Sequence, residues 1–216
     1  MASRPSRRGL VDPGSPSAEA FRSLRLALQL RVGSERQPAV LITSAEPGAG
    51  KSTVAGNFAL VSALAHARVL LIDADLRRPV QHEIFGLSRS PGLVEMLALG
   101  GRLDQFVQSA SPELDVLTAG RDVARTGDIS SSSRMGALLN EASESYDVVV
   151  VDSAPVLATA DVEGIASHGG VEIVFVADRS SRSRAVVKAV RRLELVEAKI
   201  AGIVLNREGQ QDAYGY

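Results

Sequence analysis

Cysteine is absent from the chain. That excludes disulfides and thiolate-held zinc and fits a reducing cytoplasm. Excess charge of either sign is also missing: 24 Lys and Arg stand against 25 Asp and Glu, a formal net charge of −1. A globally basic surface for nucleic acid is therefore not expected. Long apolar runs are missing too; none approaches the roughly 18 residues of a membrane span. The first eight residues are basic, but no apolar segment of the kind that marks a signal peptide follows them. Contact with a membrane is expected to need a partner.

What is present suffices for one soluble domain. The chain has 216 residues, 45% of them hydrophobic and 23% charged, the ordinary balance for a globular protein. Its organising stretch is Ala45-Glu46-Pro47-Gly48-Ala49-Gly50-Lys51-Ser52-Thr53. An apolar run, Ala39 to Thr43, precedes it, and a helix-compatible run from Thr53 to His66 follows. Strand, glycine-rich turn and helix form the context of a phosphate-binding loop. Successive backbone N–H groups in such a loop make an anion nest, and the helix points its positive end at the same spot. Gly48 and Gly50 permit the backbone angles and close approach that a side chain would block. Lys51 is suited to the terminal phosphates, and Ser52 offers a hydroxyl oxygen to Mg2+. The usual pattern begins with glycine; here Ala45 takes that place.

Along the rest of the chain, apolar strands alternate with helical patterns. Residues 1–17 are rich in Ser, Pro, Arg and Gly and read as disordered. A helix is expected from Ala18 to about Val32, with Phe21, Leu24 and Leu28 facing the core. Glu19, Arg22 and Arg25 recur every third residue along one stripe, which reads as a solvated face or as a contact between subunits. Gly33 to Pro38 reads as a linker. The run from Arg68 to Asp75 reads as a strand buried on both faces, hence parallel. It ends in Asp73 and Asp75, two apart and so projecting from nearly the same side. Ligands of open α/β sheets sit at the carboxyl ends of strands, which brings both acids near the phosphate loop. There they can bind Mg2+ or accept a proton from an attacking hydroxyl. Residues 80–110 read as short helices and loops, including Leu93 to Leu99. His82 and Phe85 read as packing residues. Leu114 to Leu117 is a short strand, Arg121 to Ser133 a Ser-rich loop, and Ser133 to Ser145 a helix.

Tyr146 to Asp152 is the clearest strand, β-branched and suited to the sheet centre. Asp152, at its end, is the expected Walker B carboxylate that holds Mg2+. A helix from Asp161 to Ser167, a strand from Glu172 to Ala177, a basic helix from Arg182 to Val196 and a strand from Ile200 to Leu205 complete the core. Asn206, just past that strand, is suited to hydrogen-bond an adenine edge. Tyr214 and Tyr216 lie in a polar tail that reads as mobile. The sum is about six strands in a mostly parallel sheet with helices on both faces, the three-layer α/β architecture of P-loop NTPases.

From Glu19 to Asn206 the chain resembles the bacterial tyrosine kinases of capsule and exopolysaccharide systems, P-loop proteins related to the ParA/MinD ATPases. Ala45 to Ser52 is similar to that family's Walker A. Leu70-Leu71-Ile72-Asp73-Ala74-Asp75-Leu76-Arg77 is similar to its Walker A′, three aliphatics followed by D-x-D-x-R, and Asp152 to its Walker B. Glu19, Arg22 and Arg25 match the E-x-x-R-x-x-R motif by which kinase subunits assemble into rings. Tyr214 and Tyr216 resemble a short version of the C-terminal tyrosine cluster phosphorylated between subunits. ParA/MinD ATPases carry a signature lysine early in the loop, where this chain has Glu46-Pro47; that favours the kinase branch. The family's P-x-N-P-x-E-L-L segment has no counterpart in the Ser-rich residues 125–139.

The resemblance implies a domain over residues 18–206, followed by a tyrosine tail from 207 to 216. ATP and Mg2+ would lie against Glu46, Pro47, Gly48, Ala49, Gly50, Lys51, Ser52 and Thr53. Ser52, Asp73 and Asp152 would serve the metal. Lys51, Asp73, Asp75 and Asp152 would carry phosphoryl transfer to a tyrosine of a neighbouring subunit, with Asp73 as base or metal-linked carboxylate for the tyrosine hydroxyl and Asp75 assisting. The expected setting is the inner face of the plasma membrane, reached through a membrane adaptor of the polysaccharide co-polymerase type, with no nucleic acid as partner. Two rivals stand beside it. One is a ParA/MinD-like ATPase, supported by the basic helix from Arg182 to Arg192. The other is an inactive nucleotide-binding scaffold of polysaccharide machinery.

Overall fold

The structure is a computed structural model that describes residues 9–32, 39–121 and 133–207. Seven strands form one sheet in the order β3-β4-β2-β5-β1-β6-β7. The strands are β1 (Ala39–Ser44), β2 (Val69–Ala74), β3 (Gln108–Ser111), β4 (Leu114–Leu117), β5 (Val148–Ser153), β6 (Val171–Asp178) and β7 (Lys199–Asn206). All neighbours run parallel except β3, which pairs antiparallel with β4 at one edge.

The pattern of burial explains the order. Every residue of β1, β2 and β5 is buried, and these are the three adjacent central strands. Strands covered on both faces must be apolar throughout, as these are until their carboxyl ends. The β-branched run Val148–Val151 takes the middle of the sheet, as its composition leads one to expect.

Helices cover both faces. On one side lie α1 (Pro16–Val32) and α2 (Lys51–Leu64), with Phe58, Ile42, Leu71 and Val150 in their shared core. On the other lie α4 (Leu93–Leu99), α5 (Ser133–Ser145), α6 (Asp161–Ala166) and α7 (Ser183–Glu194), over Leu70, Ile72, Val151 and Phe175. The short α3 (Gln81–Phe85) caps the carboxyl end of β2.

Three details differ from the sequence pattern. The edge strand β3, Gln-Ser-Ala-Ser, carries no alternation of apolar residues. It needs none, because an edge strand shares one ladder and buries little. Helix α2 begins at Lys51 rather than Thr53, because Gly50 turns left-handed (φ 87°) and starts it at once. Finally, the unordered stretch read through residue 17 meets chain that is pinned from Gly9 onward. Asn57 of α2 donates to Gly9 O (2.9 Å) and accepts from Val11 N (2.7 Å), while Leu10 packs on the α2-side core. The linker 33–38, most of the Ser-rich loop (122–132) and the tail from 208 lie outside the described residues.

Candidate active site

Strands β1, β2 and β5 end side by side, so their last residues meet. In register, Ile42 pairs with Asp152 and Asp73 with Asp152. The phosphate loop leaves β1 and rises over these ends. Its turn is fixed by Gly48 (φ 99°) and Gly50 (φ 87°), angles that L side chains rarely adopt. A Cβ on Gly50 would also collide with the Asn206 amide as it is placed here, so glycine lets the end of β7 lie close against the loop.

Beneath the loop three carboxylates and one ammonium are gathered. Lys51 Nζ lies 2.6 Å from Asp75 Oδ2 and 3.9 Å from Asp152 Oδ1. Ser52 Oγ donates to Asp152 Oδ1 at 3.2 Å. Asp73 Oδ2 accepts from the backbone N–H groups of Val80 (3.1 Å) and Gln81 (2.9 Å), at the start of α3. The two A′ acids are both buried, but they do different work: Asp73 is tied to α3 and Asp75 to Lys51.

Burial governs the charges. Loss of solvent pushes the Asp73 carboxyl well above the usual carboxylate range, and the neighbouring Asp152 charge adds to this; hydrogen bonding from Gln81 and the Lys51 charge oppose it. Asp152 is raised as well, again by burial first, against the pull of Lys51, Gln81 and Ser52. Burial alone would lower Lys51. Asp152 and Asp75 outweigh it and hold the ammonium above its ordinary value. Lys51 is therefore a firmly charged cation.

This arrangement suits a hard metal ion. Asp73 Oδ1 is buried with no hydrogen-bond partner, an acceptor left open where a positive charge would satisfy it. Asp152 pairs with Asp73 in the strand register, and its Oδ1 lies against Ser52 Oγ at the start of α2. Among the described residues no three His, Cys, Asp or Glu side chains converge to hold an ion alone. That fits Mg2+, which takes one or two carboxylates and fills its octahedron with phosphate oxygens and water.

Above the loop opens a cleft of about 450 Å3, bordered by Pro47, Gly48, Gly50, Lys51, Ser52 and Thr53. Asp75 borders it, whereas Asp73 and Asp152 do not. Arg77, Arg78 and Arg207 complete its rim. Of these, Arg207 is steadied by Asp178 at the end of β6 (3.2 Å). So the loop lacks a second lysine, but three guanidinium groups surround its mouth. Glu46 faces Arg182 (3.9 Å) rather than the cleft border. Asn206 lies against the loop, with Nδ2 donating to Ala49 O (2.9 Å) and Oδ1 accepting from Arg207 N (3.0 Å).

Glu19, Arg22 and Arg25 do share one stretch of α1. Arg22 bonds Glu19 (2.7 Å) and Pro13 O (2.6 Å), and Arg25 reaches Gln29 (3.1 Å). Tyr214 and Tyr216 lie outside the described residues. Sequence reasoning missed Gln81, Arg207 and Asn57. None sits in a recognisable motif; each matters only through what the fold carries to it.

Known proteins resemble this chain in sequence and in fold. The model of the CobQ/CobB/MinD/ParA nucleotide binding domain matches residues 40–215. The tyrosine-protein kinase YwqD of Bacillus subtilis is 33% identical over 210 residues, which cover 96% of this chain and 89% of YwqD. The putative tyrosine-protein kinase EpsB of Ralstonia solanacearum is 35% identical over 206 residues, 94% of this chain but only 28% of EpsB. The solved kinase domain of the Escherichia coli tyrosine kinase ETK overlays with a TM-score of 0.88 at 30% identity, covering 100% of this chain and 87% of that one. With its three motifs joined at a single set of strand ends, the chain belongs to the bacterial tyrosine kinases of the CobQ/CobB/MinD/ParA nucleotide-binding family.

Proposed function

We propose that the protein is an ATP-dependent tyrosine autokinase that phosphorylates Tyr214 and Tyr216 between subunits, in service of capsule or exopolysaccharide synthesis. The observation that carries this is the position of Lys51, which borders the cleft and pairs with both the A′ acid Asp75 and the buried Walker B acid Asp152. Nucleotide phosphates would lie in the loop. Lys51 would then turn from Asp75 to the β- and γ-phosphates, with Arg77, Arg78 and Arg207 adding positive charge at the rim. Ser52, Asp73 and Asp152 would hold Mg2+, which neutralises charge on the transferred group. Asp75, at the cleft border and released by Lys51, would accept the proton of the attacking tyrosine hydroxyl. The phosphoryl group passes to the tyrosine oxygen and ADP leaves. Catalysis of this kind is mainly positioning and charge neutralisation.

The acceptor tail would come from a neighbouring subunit, so a ring built through Glu19, Arg22 and Arg25 is part of the proposed enzyme. Phosphorylated tails carry added negative charge and repel one another, which would open the ring. Among the described residues no helix is long and apolar enough to cross a membrane. We place the ring at the inner membrane face through a polysaccharide co-polymerase adaptor, and expect no nucleic-acid partner.

A second reading rests on α7, whose Arg184, Lys188 and Arg191 are exposed on one helix. In that reading the chain hydrolyses ATP and binds an acidic surface. One experiment separates the two. Purified protein is incubated with ATP and Mg2+, with and without the cytoplasmic peptide of a co-encoded adaptor, and phosphotyrosine is mapped by mass spectrometry. Phosphate on Tyr214 or Tyr216, lost in Lys51→Met and in the double Tyr→Phe variant, is the expected result. ATP turnover without phosphotyrosine would favour the ATPase, and binding without turnover the scaffold.

A further inference from the structure

Gln81 is the first residue of α3, and it is fully buried. Its side-chain Nε2 donates to Asp152 Oδ2 (2.8 Å) and to the backbone carbonyl of Ser52 (3.0 Å). Its backbone N–H donates to Asp73 Oδ2 (2.9 Å). One residue thus touches the phosphate-loop helix, the A′ acid and the Walker B acid. Both neighbours of Nε2 are acceptors, so the amide has one possible orientation. That orientation leaves Oε1 buried with no partner, over Gly56 of α2, where a Cβ would stand 3.2 Å away.

An orphaned buried oxygen costs stability and asks for a reason. The geometry supplies one. Each carboxylate has two oxygens, and Gln81 takes one from each acid. Asp152 keeps Oδ1 beside Ser52 Oγ, and Asp73 keeps the unpartnered Oδ1. Neither acid can rotate without breaking a bond to Gln81. An apolar residue at this place would satisfy packing without an orphan and would keep the backbone bond to Asp73, but it would leave Asp152 Oδ2 bare and its rotation less constrained.

We propose that Gln81 is a positioning residue that fixes the free oxygens of Asp73 and Asp152 toward a shared divalent cation. This rests on the proposed nucleotide–metal site. Outer partners of metal-holding carboxylates set the orientation of their ligands, and their loss typically costs about 10- to 100-fold in metal affinity or activity.

The test uses the full chain and a fluorescent ADP analogue, titrated with Mg2+. In Gln81→Met, the Mg2+ concentration for half-maximal tightening rises by about 10- to 100-fold. Affinity for the same nucleotide in EDTA stays at the wild-type value, since Gln81 does not border the cleft. A purely structural role would weaken both together and would overturn the proposal. An unshifted Mg2+ requirement in the variant, with clear Mg2+ dependence in the wild type, would overturn the Gln81 inference alone. Wild-type binding indifferent to Mg2+ would overturn the nucleotide–metal site, and the inference with it. If Gln81→Met melts below the assay temperature, the unaltered chain labelled with 15N-glutamine decides. Assigned through bonds, the Gln81 side-chain amide resonances shift when Mg2+ is added to the ADP complex; unmoved resonances would overturn the proposal.

Discussion

Lys51 Nζ sits 2.6 Å from Asp75 Oδ2, and the same Asp75 borders the cleft that the phosphate loop encloses. The loop lysine is thus already neutralised by an acid of the next motif. Incoming phosphates must compete for it. A carboxylate so close to bound phosphate also repels it. Asp75→Asn removes both effects. ADP affinity measured without Mg2+ is expected to tighten by about tenfold, equivalent to about 1.4 kcal/mol. Phosphotyrosine formation is expected to fall, because the proposed proton acceptor is gone. Weaker ADP binding in this variant would show that Asp75 instead aims Lys51 at the phosphates.

At Asp73 the buried carboxylate weighs on stability. Burial raises its folded-state pKa above the ordinary 3.8. The native state therefore holds this proton more tightly than the unfolded chain does. Stability from this group is full below about 3.8 and is lost as pH rises through the raised folded-state value. Asp73→Asn removes the buried charge. Its carbonyl keeps the Val80 and Gln81 bonds, and its NH2 takes the side where Oδ1 has no partner. Tm at pH 7 is expected to rise, by about 2–4 °C for each kcal/mol recovered in a domain of this size, while kinase activity is lost. The gain shrinks as pH is lowered. Thermal melts at several pH values check this; a Tm that drops at pH 7 would show that the charge itself is paired in the native state.

The α1 stripe yields a third prediction. Glu19 is exposed, and Arg22 is engaged by its own chain through Glu19 and Pro13. Arg25 is half-buried, with Nε lacking a partner. An interface role would give these charges partners on another subunit. Glu19→Ala/Arg25→Ala is expected to convert unphosphorylated assemblies to monomers in light scattering. The Glu19 part should cost little stability, since exposed substitutions usually fall within about 0.5 kcal/mol. Unchanged assembly would leave only the solvated-face reading.

How much of this was legible in the sequence follows from where each signal is stored. Asp73 and Asp152 were legible because a carboxylate that ends a wholly apolar run adds nothing to packing and so points to chemistry. Lys51 and Ser52 were legible because the glycines around them fix a loop by local rules. What the residues then contact was not. Two acids two apart look equivalent along a strand, yet only Asp73 receives the amides of α3 and only Asp75 receives Lys51. That difference arises from how the chain turns after Asp75. Gln81 is likewise silent, since its partners are 29 and 71 residues away. The edge strand β3 escaped because it buries little and so needs no apolar pattern.

Asn57 lies on α2, one turn after Thr53, and is buried. Its Nδ2 donates to Thr53 O (2.8 Å) and Gly9 O (2.9 Å), and its Oδ1 accepts from Val11 N (2.7 Å). The strap before α1 is thereby held to the helix that starts at the phosphate loop. Asn57→Ala leaves Gly9 O and Val11 N without their partner, at a cost of about 1–3 kcal/mol where such groups stay buried. The strap can instead detach and find water, so the loss should be local. Endoproteinase Asp-N, which cuts before Asp12, is expected to cleave the variant much faster than the wild type. The global Tm should fall less than full burial would require. Equal cleavage rates would show that the strap is held by Leu10 packing, with the Asn57 bonds adding little.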